Sequence, residues 1–272
     1  GINTANPTRN LDVTGSIRGT VQDRGGAVYN VAAYNIYPNG MDCTVLLRQL
    51  LDTLYANGGG TIQFNEGVYR ITGTLRPRWS NQCIGQSVPL KVLGAGAFMQ
   101  GQLSLGVTAG GTILRFISTD SILWDLRGVG LTEFAGLTMT DTTGGNGKIF
   151  VRTTLNTVHA HDCAFFGDKA QYSADDIAFV LGSYRRGTSD GLCADGDTSI
   201  NSGFQGYGTV IRDCFFNGIS YGVWGRHNAN AVHIVNNTWW NNCGGLAAVR
   251  FGTNGNFNLS ASVLIDGNLF EA

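Results

Sequence analysis

The residues best suited to chemistry include two adjacent carboxylates, Asp175 and Asp176, which immediately precede the apolar run Ile177-Ala178-Phe179-Val180. Paired acids beside a strand can serve as general acid and general base, because one carboxyl has its pKa raised by its neighbour. A solvated turn in which one Asp caps a backbone amide is the alternative interpretation of the same pair.

A second group of polar residues lies in the stretch 183–208, which contains no strand-like run. Asp195 and Asp197 are predicted catalytic carboxylates here, and Tyr184 and Arg185 are predicted to bind substrate. Carboxylates accept hydrogen bonds from sugar hydroxyls, and an Arg can hold an acidic sugar through two parallel hydrogen bonds. Long loops within compact repeats are commonly functional or disordered, so a solvated mobile loop is the alternative.

A third group combines Trp224, Arg226, His227 and Arg250, all predicted to bind substrate. Strand alternation points Val223 inward and Trp224 and Arg226 outward, and Arg250 is expected about one repeat above Arg226. A Trp beside stacked Arg residues makes a platform for a sugar ring or a carboxylate. Lyase chemistry could use Arg226 with His227. Trp and Arg are also enriched at protein interfaces, so a subunit interface is the alternative.

The remaining acids, histidines and cysteines indicate no metal site. Glu133 is a lone acid and a weak candidate, and the spacing of His159, His161 and His233 forms no metal triad. No CxxC pair occurs among the six cysteines, so zinc is not expected. Either the cysteines are buried free thiols, or Cys163 and Cys214 form a bridge between neighbouring repeats. No metal and no cofactor is predicted. The cysteines are Cys43, Cys83, Cys163, Cys193, Cys214 and Cys243.

The element that must position these residues is a short repeated phrase: an apolar residue, any residue, Asp/Asn/Gly, Cys/Asn, any residue, an aromatic. Most intervals between copies are roughly 23 to 31 residues, which is typical of a β-solenoid and too short for helical repeats. The interval between the copies at 160 and 211 is about twice as long, and we interpret it as one repeat with an insertion. The copies begin at Ala160, Ile211, Ile234 and Ile265, with a degenerate one at Phe134.

Stacking these repeats predicts an all-β parallel β-helix, with successive rungs about 4.8 Å apart. The same phrase position then forms a column along the axis. Cys163, Cys214, Asn237 and Asn268 are predicted to form a ladder at a sharp turn, because Asn tolerates left-handed backbone and its amide can bond the next rung. The aromatic two residues later is predicted to stack inside.

A single helical pattern precedes the repeats. Leucines at 47, 50, 51 and 54 form one helical face, with Asp42 as the expected N-cap and Gly58 as the stop. This short N-terminal helix is predicted to cover the open end of the solenoid, because an exposed rung is a template for aggregation.

The phrase Gly58-Gly59-Gly60-Thr61-Ile62 and the following Gly67-Val68-Tyr69-Arg70-Ile71, together with this helix, resemble the start of the pectate-lyase-like domain of phage tailspikes. Cys43 and Asn65 depart from the usual Asp and Pro. The resemblance implies a right-handed parallel β-helix that assembles as a homotrimer, with other virion tail proteins contacted through the N-terminus.

Charge and composition argue against two classes of function. A formal charge of −1 with 14% charged residues argues against an electrostatic nucleic-acid binder, and no apolar stretch is long enough for membrane insertion. We divide the chain into a linker or neck, 1–30, and a β-helix domain, 31–272. The chain ends at Ala272 directly after a repeat, so we expect the domain to be truncated there.

The leading hypothesis is a virion module, a tailspike or tail fibre, that binds and cleaves a bacterial surface polysaccharide. Hydrolysis would use paired carboxylates, and lyase cleavage would use an Arg or His base. The first alternative is a non-catalytic structural or receptor-binding appendage of the virion. The second is a secreted bacterial polysaccharide lyase or epimerase, which is normally monomeric.

Overall fold

The computed structural model describes residues 21–23, 26–76, 88–98, 110–126, 129–141, 147–153, 158–167, 176–181, 208–225, 229, 231–240, 248–251 and 262–271. Within these residues the chain is mostly β, with one α-helix and one 3-10 helix, Val31–Tyr34. The strands form three sheets, here named A, B and C in the order in which the chain visits them.

Sheet A has nine strands, and all neighbours except the first pair are parallel. Its members are β1 (Val21–Asp23), β2 (Gly26–Asn30), β3 (Gly60–Gln63), β5 (Leu90–Leu93), β8 (Thr132–Ala135), β11 (Val158–His161), β14 (Val210–Arg212), β17 (Val232–Val235) and β20 (Val263–Asp266).

Sheets B and C are parallel throughout. Sheet B contains β4 (Gly67–Ile71), β6 (Thr112–Phe116), β9 (Leu137–Asp141), β12 (Ala164–Phe166), β15 (Phe215–Asn217), β18 (Thr238–Trp240) and β21 (Leu269–Glu271). Sheet C contains β7 (Ile122–Asp125), β10 (Ile149–Thr153), β13 (Ile177–Leu181), β16 (Tyr221–Gly225) and β19 (Val249–Phe251).

The chain visits the sheets in a fixed order. From β6 onward each strand of sheet B is followed by one of sheet C and then by the next strand of sheet A. We call one such set a rung. Three parallel sheets visited in this order fit a parallel β-helix. Ala160 on β11 pairs directly with Ile211 on β14, so the long interval between these repeats is one rung that carries an insertion, as expected.

The turn from sheet A to sheet B repeats its backbone conformation on successive rungs. One residue in each turn is left-handed, with φ between 52° and 64°. We expected this conformation at the Cys/Asn position, but it occurs one residue earlier, where Asp, Asn and Gly tolerate it. The left-handed residues are Gly136, Asp162, Asp213, Asn236 and Gly267.

The predicted ladder at the following position is confirmed. The Asn237 Oδ1 accepts the backbone N–H of Cys214 at 2.9 Å, and the Asn268 Oδ1 accepts that of Asn237 at 2.9 Å. Asn237 also donates its Nδ2 to the carbonyl of Ile211 at 2.9 Å. These bonds join neighbouring rungs. They also give the buried Asn237 amide the partners it needs, because a buried polar group without a partner is costly.

The predicted aromatic column is also confirmed. Phe165, Phe216, Trp239 and Phe270 occupy register-matched positions on four strands of sheet B. Their ring centroids are separated by 5.2, 4.7 and 4.9 Å, and neighbouring planes differ by 15° or less. The first three rings are buried, whereas Phe270 on the last described rung is 54% exposed.

The predicted helix is α1 (Thr44–Ala56), and all four leucines of its apolar face are buried in the same core cluster as Tyr29 and Ile62. The N-cap is Cys43, one residue later than expected. The Asp42 carboxylate nonetheless accepts the N–H of Thr44 at 3.0 Å. Hydrogen bonds from Thr44 and Thr72 lower the pKa of Asp42 despite the opposing effect of burial.

Three cysteines lie in the described part of the chain, and all three are buried free thiols, so Cys163 and Cys214 are not bridged. Burial and the neighbouring Cys163 thiol raise the pKa of Cys214. Cys83, Cys193 and Cys243 lie outside the described residues. Strands β1 and β2 belong to sheet A although the sequence division assigned them to the neck; residues 1–20 of that neck are not described.

Candidate functional site

The outer face of sheet C, turned away from the main core, carries a second apolar cluster. Ile177, Val180 and Tyr221 are buried together there, and Ile149 and Trp224 pack against them. All five residues of β13 are buried, so this strand is covered on both faces. The predicted orientation holds for two residues: Val223 lies in the main core, and Trp224 lies on the outer cluster.

Arg250 completes the cluster. Its guanidinium carbon lies 4.9 Å from the centre of the Trp224 ring and 5.4 Å from that of Tyr221. Its Nη1 donates to the Tyr221 hydroxyl at 2.8 Å. A cation held over an indole is attracted by the ring quadrupole. The three side chains therefore form a fixed surface with both an aromatic face and a positive charge.

The register of this cluster differs from the expected one. Trp224 pairs with Arg250 across β16 and β19, whereas the sequence spacing suggested that Arg250 lies above Arg226. The spacing was misread because the interval from β16 to β19 does not equal the interval between phrase copies. Arg226 and His227 lie outside the described residues, so their roles stay predictions.

Asp176 is the one predicted catalytic carboxylate that the structure describes. It is 1% exposed, and its Oδ1 accepts the backbone N–H of Lys148 at 2.7 Å. Its backbone carbonyl accepts the N–H groups of Ser220 and Tyr221. This is the amide-capping arrangement that the sequence left open as the alternative. A catalytic role for Asp176 stays a prediction.

A buried cation lies on the neighbouring rung. The Lys148 side chain is 3% exposed, and its Nζ donates to the carbonyls of Ser118 at 2.6 Å and Asp120 at 2.9 Å. The ammonium also lies 5.7 Å from the centre of the Phe116 ring. These carbonyl acceptors satisfy a charge that burial would otherwise make costly. Lys148 and Asp176 thus stabilise the chain just before β10 and β13 of sheet C.

Two segments that contain further predicted site residues follow paired strands of sheet C in the sequence. Leu181 and Gly225, the last residues of β13 and β16, are register partners. In the sequence, the segment with Tyr184 and Arg185 follows Leu181, and the segment with Arg226 and His227 follows Gly225. The predicted residues outside the described part are Asp175, Tyr184, Arg185, Asp195, Asp197, Arg226 and His227.

Sheet A carries a different outer surface, made of charged side chains that contact one another. The Lys91 Nζ lies 2.8 Å from one oxygen of Glu133, and the other oxygen lies 3.4 Å from the His161 Nε2. The His161 Nδ1 lies 2.7 Å from the Asp162 Oδ2. Arg212 and Asp213 form a further ion pair. Both ring nitrogens of His161 thus have a carboxylate partner.

These contacts set the ionisation of Glu133. Burial raises its pKa, but hydrogen bonds from Lys91 and His161 outweigh burial, and the pKa lies below its usual value. Sequence reasoning ranked Glu133 as an isolated acid and missed this network. The pairing of Lys91 with Glu133 depends on which residues of β5 and β8 are opposite each other, which phrase spacing alone does not give.

Neither face presents a metal centre within the described residues, since no group of three or more His, Cys, Asp or Glu side chains there could hold an ion. Among the helices that the structure describes, none has the length and apolar character needed to cross a membrane.

Comparison with known proteins gives weak structural neighbours. No family model and no curated protein matches the chain. Geobacillus virus E2 ORF18 is 15% identical with a TM-score of 0.38, and the match covers 89% of this chain but 41% of that one. A presumed glycosyl hydrolase from Parabacteroides merdae ATCC 43184 is 10% identical with a TM-score of 0.33, covering 89% and 95%. Both scores are too low to support functional conclusions.

Proposed function

We propose that the chain is a right-handed parallel β-helix of the pectate-lyase-like type, and that it serves as a phage tailspike or tail-fibre module that binds and depolymerises a bacterial surface polysaccharide. The observation that carries this proposal is the contact of Arg250 with the rings of Trp224 and Tyr221 on the outer face of sheet C.

The chemistry of this cluster suits a sugar ligand. Sugar rings present C–H groups that pack on an aromatic face and hydroxyls that accept from a guanidinium. Arg250 is already oriented by its hydrogen bond to Tyr221, so little side-chain entropy remains to be lost on binding. Tyr184, Arg185, Asp195 and Asp197 belong to the insertion that follows Leu181 in the sequence, and we propose that they contribute to the same site.

Cleavage would use residues other than those of this cluster. Candidate acids are Asp175, Asp176, Asp195 and Asp197, and Arg226 with His227 would serve a lyase. The burial of Asp176 and its bond to the Lys148 amide favour a structural role for that residue. This observation favours a second candidate function, a receptor-binding appendage of the virion that holds polysaccharide without cutting it.

The binding experiment compares two tryptophans of the same chain. Capsule, lipopolysaccharide and exopolysaccharide preparations are immobilised, and binding is measured for Trp224→Ala and for Trp240→Ala. Trp240 lies on sheet B and is 39% exposed, so it serves as a matched control. We expect Trp224→Ala to weaken binding measurably and Trp240→Ala to retain it. Equal binding by both variants would contradict the location.

The cleavage experiment incubates the protein with the bound polysaccharide and measures released oligosaccharides by chromatography. New reducing ends without unsaturated sugar indicate hydrolysis, and unsaturated ends indicate a lyase. Asp175→Asn and Asp195→Asn are each expected to remove cleavage, and retention of cleavage by both would reject these acids. No release from a bound polymer would support the binding-only function.

Assembly is tested separately. We propose a homotrimer of side-by-side β-helices, with the N-terminus directed to other tail proteins. Light scattering should then give three chain masses. A single chain mass would favour the secreted lyase or epimerase.

A further inference from the structure

Three Asn–Gly pairs lie entirely within the described residues, and the structure gives them different surroundings. They are Asn39–Gly40, Asn57–Gly58 and Asn217–Gly218. In such a pair the amide nitrogen of the glycine can attack the side-chain carbonyl carbon of the asparagine and form a cyclic imide. Glycine favours this reaction because it carries no side chain and adopts many backbone conformations. The local structure then decides which pair reacts.

The Asn39–Gly40 pair lies in the turn between the 3-10 helix and α1, and both of its residues are exposed. Gly40 has a left-handed φ of 81°, and a Cβ built on it would meet no described atom within 4 Å. The Gly40 N–H donates no hydrogen bond within the described part of the chain. The attacking nitrogen is therefore accessible to base and unobstructed.

The Asn39 side chain is held against the backbone of the same turn. Its Oδ1 accepts the backbone N–H of Met41 at 3.1 Å, which closes an Asx turn across the Gly40 peptide. This bond keeps the side-chain amide next to the backbone instead of extended into solvent. A donor on this oxygen also stabilises the negative charge that develops there during attack on the carbonyl carbon.

The turn is anchored at both ends. Pro38 packs against Gly67, where a Cβ would lie 2.5 Å from the Pro38 Cβ. Asp42 is paired with Arg70 in an isolated β-bridge. Residues 39–41 therefore form a short connection between two fixed points, which limits the conformations that must be searched before attack.

The Asn57–Gly58 pair is exposed as well, but its reacting groups are engaged. The Gly58 N–H donates to the carbonyl of Tyr55 at 3.1 Å, so the nitrogen keeps its proton in a hydrogen bond. The Asn57 Nδ2, which would be the leaving group, donates to the Tyr29 hydroxyl at 3.1 Å. Attack at Asn57 would break both hydrogen bonds, so this pair should react more slowly than Asn39.

The Asn217–Gly218 pair is protected by burial. Asn217 is the last residue of β15 and is 4% exposed. Its backbone carbonyl accepts the N–H of Gly167 at 2.9 Å, and this carbonyl would become part of the imide ring. Base and water do not reach a buried pair, so we expect no reaction at Asn217 while the protein is folded.

We propose that Asn39 is a site of spontaneous self-modification, at which the folded chain converts this residue to aspartate and isoaspartate. Base removes the Gly40 amide proton, and the nitrogen forms a bond with the Asn39 side-chain carbonyl carbon. The bond from that carbon to Nδ2 breaks, and Nδ2 leaves as ammonia after taking a proton from solvent. Water then opens the imide at either carbonyl. The sum is an amide and water giving a carboxylic acid and ammonia.

The product changes the surface around the turn. It places a new negative charge in a segment whose exposed large side chains, Tyr37, Met41 and Val45, are apolar. Isoaspartate also adds a carbon atom to the backbone of the turn. The reaction needs only water and base, and it does not depend on the proposed polysaccharide function.

The test follows all three pairs in one sample of the unmodified protein. The folded chain is incubated at mildly alkaline pH, and peptide mass spectrometry with backbone fragmentation quantifies aspartate and isoaspartate at each position over time. We expect Asn39 to react at least about tenfold faster than Asn57, since two hydrogen bonds protect Asn57. We expect no product at Asn217. Reaction at Asn39 that is no faster than at Asn57 would overturn the inference.

The same chain in denaturant is the control for local sequence. All three pairs are then Asn–Gly dipeptides in an unfolded chain, so their rates should agree within a few-fold. A tenfold advantage of Asn39 that persists in denaturant would show that the fold does not select this residue, and it would also overturn the inference.

The products and the pH dependence identify the route. Because the Gly40 nitrogen must lose its proton, the rate at Asn39 should rise with pH above neutrality. The imide should give both aspartate and isoaspartate, with oxygen from isotopically enriched water in the new carboxylate. Aspartate alone, formed at a rate independent of pH, would indicate direct hydrolysis and would contradict attack by Gly40.

Discussion

The outer faces of sheets A and C are both formed by register-matched positions on successive rungs, but they carry different kinds of side chain. On sheet A, polar and charged side chains such as Lys91, Glu133 and His161 contact one another across rungs. On sheet C, Val180 and Tyr221 are buried and Arg250 lies over Trp224. The stack of rungs fixes position on both faces, so the difference lies in the side chains.

This difference predicts how strongly each face responds to substitution. Ion pairs at a solvated surface contribute little to stability, typically about 0 to 1 kcal/mol. Buried apolar and aromatic groups contribute several times more. Substitutions on an outer face that buries aromatic residues around a cation should therefore lower the free energy of unfolding more than substitutions on a face of matched charges. We expect substitutions on the two faces to differ accordingly.

The largest effect should come from Tyr221→Ala on sheet C. Loss of a buried ring and of its hydrogen bond with Arg250 should lower the free energy of unfolding by roughly 3 kcal/mol. His233→Ala on the exposed face of sheet A should cost less than about 0.5 kcal/mol. Denaturant titration measures both. Similar costs for the two variants would remove the distinction between the faces.

A smaller effect is expected at Asp176, just before β13 of sheet C. Asp176→Ala leaves the buried Lys148 N–H without its described acceptor and should cost about 1–3 kcal/mol. Asp176→Asn keeps an oxygen acceptor and should cost less. Thermal unfolding measures the two variants side by side. If Asp176→Ala is as stable as the parent, the capping role is wrong; if folded Asp176→Asn loses cleavage, Asp176 is catalytic.

The pH dependence of sheet A should be weaker still. The folded pKa of Glu133 lies below its usual value, so its ionised form stabilises the fold above about pH 4.5, and that contribution is lost as the pH falls through the folded pKa. We expect Glu133→Gln to reduce the loss of unfolding free energy between about pH 5 and 3, by less than about 1 kcal/mol. Parallel pH profiles for parent and variant would contradict the assigned ion pairs.

The smallest effect should be that of Arg212→Gln. Its partner Asp213 and its own side chain are 37% and 49% exposed, so their pairing is well solvated. Its removal should change unfolding free energy by at most about 0.5 kcal/mol. A change above 1 kcal/mol would mean that sheet A depends on its charges more than the contacts indicate.

The sequence was sufficient for features that depend on a repeated position. It predicted the Asn237–Asn268 ladder, the stacked rings and the buried leucines of α1, and it identified the long interval after Ala160 as one rung. The ladder and the rings follow from the phrase itself, because inward residues and turn residues recur at the same place in every copy. The leucines follow from their helical spacing, and the insertion follows from the absence of a strand-like run in 183–208.

Features that depend on pairing between rungs were predicted poorly. Arg250 was expected above Arg226 and lies opposite Trp224. The Glu133–His161 contact was missed, and the left-handed residue lies one position earlier than expected. Loops of different length separate the strands, so counting residues along the chain does not give the register on sheets A and C. Residues in the insertion stay predictions.

The central claim is that Trp224 and Arg250 act as one polysaccharide-binding unit, and a double-mutant cycle tests it most directly. Affinity for the bound polymer is measured for Trp224→Ala, Arg250→Gln and the double variant, with Trp224→Ala/Arg212→Gln as the control cycle. We expect a coupling of at least about 0.5 kcal/mol between Trp224 and Arg250, and additivity in the control. Additive losses in both cycles would contradict the claim.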